Sequence, residues 1–234
     1  MFHTRRPTAL SRMTRRYFVP DLPLRGGPVP LPESEAQHAA RVMRVQPGDT
    51  ITLFDGQGHQ SQAIVREVNK RHCECDAAAA EVVDRESSRS LHLGVALPKS
   101  DRARELIERL TELGARTVTP LVAERSQRPP SAALLEKLSR AVVEASKQCG
   151  RNRLLEITVT RDAKEFFDDH RHADGSRWIA HPDGQPIGTL ATESRTTIVA
   201  AVGPEGGWTD AEVELAGQCG FAPVGLGKRI YRIE

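Results

Sequence analysis

Hydrophobic spacing changes period near residue 91, and that change decides what the chain can fold into. Upstream, apolar residues alternate or run in short stretches. Thr50-Ile-Thr-Leu-Phe-Asp and Gln62-Ala-Ile-Val-Arg-Glu-Val read as strands, with Asp55, Gly56 and Gly58 as turn chemistry between them. A short helix around residues 34–45 interrupts them. Residues 15–86 are therefore expected to form a small β-barrel-like domain. Residues 77–90 (AAAAEVVDRESSRS) fade from a last strand into a polar linker.

Downstream, over residues 90–234, strands alternate with helices. Residues 91–97 form a strand, and residues 100–113 a helix with Ala103, Leu106, Ile107, Leu110 and Leu113 on one face, closed by Gly114. A strand at 117–122 follows. Pro129-Pro130-Ser131 then precedes a second amphipathic helix through Leu134, Leu135, Leu138, Ala141, Val142 and Ala145. Further strands fall near 156–159, 177–180 and 197–202, with a helical stretch around 162–169. This alternation predicts an α/β fold, a mostly parallel sheet covered on both faces. In such sheets a ligand sits beyond the carboxyl ends of the strands. His181, in Ala180-His181-Pro182, the loop from Gly203 onward, and Leu226-Gly227 all fall at such ends.

The last of these ends are the richest. After the strand at 197–202 come Gly203, Pro204, Glu205, Gly206 and Gly207, then a helix, then a second glycine turn at Gly225-Leu226-Gly227. Thr209 and Glu212 have capping-box spacing, Asp210 and Glu212 sit where the helix dipole favours negative charge, and Gly220 is placed to end the helix in the left-handed region. Glycine turns at neighbouring strand ends let a ligand lie against bare backbone. The loop is not a P-loop, since no Gly-Lys-Ser/Thr follows at the required spacing, and it fails G-x-G-x-x-G at the third position. A proline and a glutamate would be poor company for a pyrophosphate. S-adenosylmethionine, a zwitterion with a sulfonium, suits such a loop. Glycine-rich strand-to-helix turns are also ordinary in α/β proteins, and the loop alone leaves both readings open.

The phrases Gly203-Pro-Glu-Gly-Gly, Leu226-Gly-Lys-Arg-Ile and Arg232-Ile-Glu resemble the signature of the bacterial 16S ribosomal RNA uridine-N3 methyltransferases. Further matches run in that family's order: Arg16-Tyr-Phe-Val, His38-Ala-Ala-Arg-Val-Met-Arg, Gly48-Asp49, Asp55-Gly-Gln-Gly, Ala96-Leu-Pro-Lys-Ser-Asp-Arg, Thr111-Glu-Leu-Gly, Glu124-Arg-Ser and Gln148-Cys-Gly-Arg. Together they span residue 15 to the last. The resemblance implies S-adenosylmethionine as cofactor, 16S rRNA or the small ribosomal subunit as partner, a cytoplasmic homodimer, and a PUA-like first domain. It also implies a C-terminal trefoil knot, which no pattern argument could supply because knots are so rare. Similar proteins continue past the position of Glu234 with a short helix that packs in the knot and the dimer interface. The sequence given ends there, which puts cofactor affinity and dimerisation in question.

Composition limits how RNA could be held. The net charge of the 234 residues is only +2, so a nucleic-acid surface must be a local patch, and 4% aromatic content argues against base stacking as the main mode. His38, Arg41 and Arg44, three residues apart, are expected on one helical face. With Arg15 and Arg16 they form a candidate phosphate patch beside the alternative of a solvated basic face. Lys99, Arg102 and Arg104 start a helix where cations are disfavoured, a cost that Asp101 offsets in part, which points to an anionic partner. Arg125 and Arg151 each follow an element end, as candidate catalytic groups or structural ion pairs. Arg5, Arg6, Arg12, Arg15 and Arg16 precede the first acidic residue, Asp21. Residues 1–14 read as a flexible arm or an upstream extension with Met13 as the natural start; organelle targeting also competes. No apolar run approaches membrane-spanning length.

Cys73, Cys75, Cys149 and Cys219 show no disulfide-framework density, and Cys-x-Cys lacks a second pair at zinc spacing. His170 and His172 form a lone H-x-H, so no metal is expected. N3 of uridine is a poor nucleophile until its proton leaves, so the implied reaction needs an unpaired base, charge stabilisation by an arginine, and alignment with the sulfonium methyl. Two rivals remain: a knotted methyltransferase with another target atom, and a non-catalytic RNA-binding or ribosome-assembly protein.

Overall fold

The computed structural model describes residues 15–126, 128–190 and 197–227. The chain divides into two compact units, Met1–Arg85 with Gly150–Arg153, and Glu86–Cys149 with Leu154–Glu234. The expectations for residues 1–14 and for Ile230 lie outside the described residues.

The first unit holds β1 (Arg16–Phe18), β2 (Gly27–Pro30), α1 (Glu33–Arg41), β3 (Thr50–Phe54), β4 (His59–Val68), β5 (Cys73–Ala77) and β6 (Glu81–Val82). The strand path is β1-β3-β4-β5-β2, with β6 on β4; β1 and β3 run parallel and the other pairs antiparallel. β5 alternates strictly, so Cys73, Cys75 and Ala77 enter the core with Tyr17, Val29, Ile51, Leu53 and Val65. The two thiols lie 3.9 Å apart, and their mutual hydrogen bond and burial push the Cys75 thiol up.

Gly150–Arg153 is stitched into this unit by Asn152. Its carbonyl accepts Gly58 N at 3.1 Å, and its amide donates to Gln60 Oε1 at 3.2 Å and Val83 O at 3.3 Å. Arg16 donates to Asn152 Oδ1 and lies over the Phe54 ring. Arg85 Nη1 donates to Gly150 O at 2.7 Å. No hydrophobic period marks this return, so sequence reading assigned the segment to the downstream domain.

α1 is shorter than expected. Val42 caps it, and Arg44 takes φ +49°, turning the chain so that Val45 enters the core at 1% exposure. Arg44 therefore does not share a helical face with His38 and Arg41.

The second unit continues with β7 (Ser90–Val95), α2 (Ser100–Glu112), β8 (Thr117–Val122), α3 (Ala132–Cys149), β9 (Glu156–Ile157), β10 (Arg161–Asp162), α4 (Ala163–Asp169), β11 (Ser176–Pro186), α5 (Ile187–Leu190), β12 (Thr197–Val202), α6 (Asp210–Gln218) and β13 (Ala222–Gly225). All pairings are parallel, in the order β10-β8-β7-β12-β11-β13 with β9 also on β8. Strand alternation feeds two cores. Val95 and Val118 pack with Ile107, Leu138 and Val142 of α2 and α3; Leu121, Ile179, Val199 and Ala201 pack with Phe166, Phe167 and Ala216 of α4 and α6. The sheet is thus parallel, with helices on both faces, as the spacing predicted.

β11 is much longer than the four residues expected. Ala180 and Gln185 both pair with Val224, so the residues between them are looped out of the ladder. A Cβ at Gly184 would stand 2.4 Å from Val224 N, and one at Gly225 2.8 Å from Gly184 O. Two glycines let the excursion pass this close to β13. His181 therefore lies within the excursion rather than past the strand.

Candidate functional site

Because every strand of the second unit points the same way, the segments that follow β7, β8, β12 and β13, and the excursion of β11, share one edge. The ends of β7 and β12 are tied there by Ala96 N donating to Val202 O at 3.0 Å. Lys99, the exposed N-cap residue of α2, and Arg102 in its first turn stand on this edge. Lys99 makes no side-chain capping bond, and Arg104 is spent on Glu108 at 2.8 Å.

Trp208, missed by sequence reasoning, organises the centre. Its indole covers Gly203, where a Cβ would meet the ring at 2.8 Å, and its Nε1 donates to Ala180 O at 3.2 Å. The bare face of Gly203 thus admits a tryptophan before any ligand. The available signal was its position just before the N-cap, where an apolar residue commonly fixes the entry of a helix. Gly206 is similarly shadowed by Arg125, whose Cβ would lie 3.3 Å from an added Cβ. Gly207 has φ +71° with open space where a side chain would go. Glu205 is exposed and Pro204 partly so. Leu226 is 52% exposed, and Gly227 beside it has φ +137°.

Arg125 belongs to a turn after β8, closed by Ser126 N donating to Ala123 O at 2.9 Å. Its Nη1 donates to Gly206 O at 3.0 Å and Trp208 O at 3.1 Å. The capping box at α6 forms as expected, with Thr209 N on Glu212 Oε2 at 2.9 Å, and Glu212 Oε1 also accepts Glu124 N at 2.9 Å. Gly220 follows the Cys219 cap with φ +81°.

Arg151 is 5% exposed and lies in the segment counted with the first unit, just after Gly150 at φ +82°. Arg15 is paired with Asp49, holding that carboxyl low together with the Gln46 amide, the larger influence. Arg16 is committed to Asn152 and Phe54. On α1, Arg41 is exposed and the His38 ring meets Tyr17 edge-on at 6.4 Å.

The residues of the edge fit S-adenosylmethionine in their donor chemistry. The loop offers backbone and one exposed carboxylate, and the nearby guanidinium already turns Nη1 onto loop carbonyls. That arrangement suits a zwitterion carrying positive charge better than a pyrophosphate. Among the described residues no group of three His, Cys, Asp or Glu could hold a metal ion, and no helix is long and apolar enough to cross a membrane.

Residues 85–234 match the RNA methyltransferase domain family, and residues 31–77 match the RNA methyltransferase PUA domain. A ribosomal RNA small subunit methyltransferase E from Synechocystis sp. is 33% identical over 87% of this chain and 68% of its own length. The Bacillus subtilis protein of the same name is 26% identical over 86% and 82%. A crystal structure of ribosomal RNA small subunit methyltransferase E from Neisseria gonorrhoeae, bound to S-adenosyl methionine, superposes with a TM-score of 0.87 at 30% identity, covering 94% of this chain and 92% of that one.

Proposed function

Because the chain belongs to the ribosomal RNA small subunit methyltransferase E family of RNA methyltransferases, we propose that it methylates N3 of a specific uridine in 16S rRNA within the assembled small subunit, using S-adenosylmethionine. The observation that carries this is the convergence, on one sheet edge, of the 203–207 loop, the β11 excursion and the turn after β13, with Arg125 hydrogen-bonded into the first of them.

His181, the 203–207 loop, Leu226 and Gly227 hold the cofactor, with Ile230 assigned by resemblance alone. S-adenosylmethionine supplies an electrophilic methyl group on a sulfonium. Arg125, whose Nη1 is engaged by the loop, presents its remaining N–H groups to the charge that develops over N3 and the two carbonyls of the uracil ring. The N3 proton passes to a carboxylate or to water. Lys99, Arg102, His38, Arg41 and Arg44 meet phosphates, which position the RNA without reading its sequence. The base is presented unpaired. The reading extends to a cytoplasmic homodimer and to a trefoil knot formed by the last part of the chain.

The test is nucleoside mass spectrometry of small subunits lacking the modification, after incubation with the protein and isotope-labelled S-adenosylmethionine. Labelled N3-methyluridine in 16S rRNA is the expected product. Label on a ribose hydroxyl or another base would move the assignment to a different target atom.

A further inference from the structure

Glu212 ties together two loops that lie far apart in sequence. Its side chain stands in the first turn of α6, yet the residue is 2% exposed. Oε2 accepts Thr209 N at 2.9 Å and the Thr209 hydroxyl at 3.1 Å, which is the ordinary work of a capping box. Oε1 does something capping does not require. It reaches across 88 positions to accept Glu124 N at 2.9 Å, in the turn that carries Arg125. From that turn Arg125 reaches back to Gly206 O and Trp208 O. The two contacts close a ring: the β8 turn holds the glycine loop, the loop leads into α6, and α6 holds the β8 turn.

We propose that Glu212 is a positioning residue that fixes Arg125 and the 203–207 loop as one body, an inference that rests on reading this edge as the methyl-transfer site. A carboxylate accepting N–H groups on both oxygens in a dry setting is held strongly and directionally. Arg125 then cannot move with its turn independently of the loop that seats the cofactor. Such fixation matters because displacement of reacting groups by about 1 Å costs on the order of 100-fold in rate.

Two variants test it by different routes. Glu212→Gln replaces one acceptor with an amide that opposes an N–H whichever way it is turned. Glu124→Pro deletes the Glu124 N–H and leaves Glu212 and its cap intact. Residue 124 is the second position of the turn closed by Ser126 N and Ala123 O, where proline is favoured. Glu124→Ala controls for the side chain, which accepts the Thr209 hydroxyl at 3.4 Å.

Hydrogen exchange on the ligand-free protein and calorimetric titration with S-adenosylmethionine are the readouts. Glu212→Gln and Glu124→Pro should each speed exchange at the Ser126 and Gly207 amides and weaken binding about tenfold. The double variant should be no worse than the weaker single one, and Glu124→Ala should match wild type. If Glu124→Pro leaves exchange and affinity unchanged, Glu212 only caps α6 and the proposal is overturned. Should Glu212→Gln fail to fold, Glu124→Pro still decides. A wild-type protein that binds no S-adenosylmethionine would sink the cofactor reading, while the exchange data would still decide the clasp.

Discussion

The indole of Trp208 occupies the space that a side chain at Gly203 would need, with ring atom Cε2 2.8 Å from the position of a Cβ there. Gly203→Ala should therefore push the ring outward and break its hydrogen bond to Ala180 O. The cost of such overpacking is about 1–3 kcal/mol. Chemical denaturation followed by tryptophan fluorescence in a Trp178→Phe background would show it. An unchanged midpoint and emission spectrum would mean that the loop relaxes without strain.

Arg125 and Arg151 should fail in different ways. Arg125 is exposed, so Arg125→Ala should keep the fold and lower methyl transfer by about 100-fold or more. Arg151 is buried, and Arg151→Ala should lower stability by about 2 kcal/mol while the folded fraction turns over normally. Paired melting curves and single-turnover rates separate the two. A full rate in Arg125→Ala would remove it from the charge-stabilising role.

The arginines of the first unit should divide along the same line. Arg41→Ala and Arg44→Ala should weaken RNA binding across sequences and each lower the salt slope of log K by about 1. Arg16→Ala should instead loosen the Asn152 anchor and lower the unfolding midpoint. Filter binding at several salt concentrations decides this. Equal loss of slope in Arg16→Ala would place that guanidinium on the RNA.

His92 should make stability fall in mild acid. Burial holds its pKa below the ordinary histidine value, helped by electrostatic interaction with His170 and Arg116 and opposed by Glu156. The unfolded chain thus binds the proton more readily than the folded one. Stability is undiminished above the unfolded value of about 6.5 and declines as pH falls from there through the folded value. The hydroxyls of Ser90 and Thr117, each 2.9 Å from a ring nitrogen, can serve either protonation state and do not change the sign. Urea midpoints at pH 7.5 and 5.5 should differ less in His92→Gln than in wild type; equal differences would show that other groups carry the acid sensitivity.

Sequence alone determined the parallel α/β sheet, because its strands and helices carry their period locally: residues 117–122 and 197–202 were bounded correctly, and the Thr209–Glu212 cap was legible from spacing. It also placed the glycine loop at a strand end. Only the tertiary structure decided which groups meet there. Trp208 on Gly203, Arg125 on Gly206 and Glu212 on Glu124 join residues up to 88 positions apart, and no local period encodes such pairs. The same holds for Gly150–Arg153, whose place in the first unit rests on hydrogen bonds from Asn152 to Gln60 and Val83. Polar contacts of this kind depend on where backbone amides and carbonyls come to lie, and that position exists only once both cores have packed.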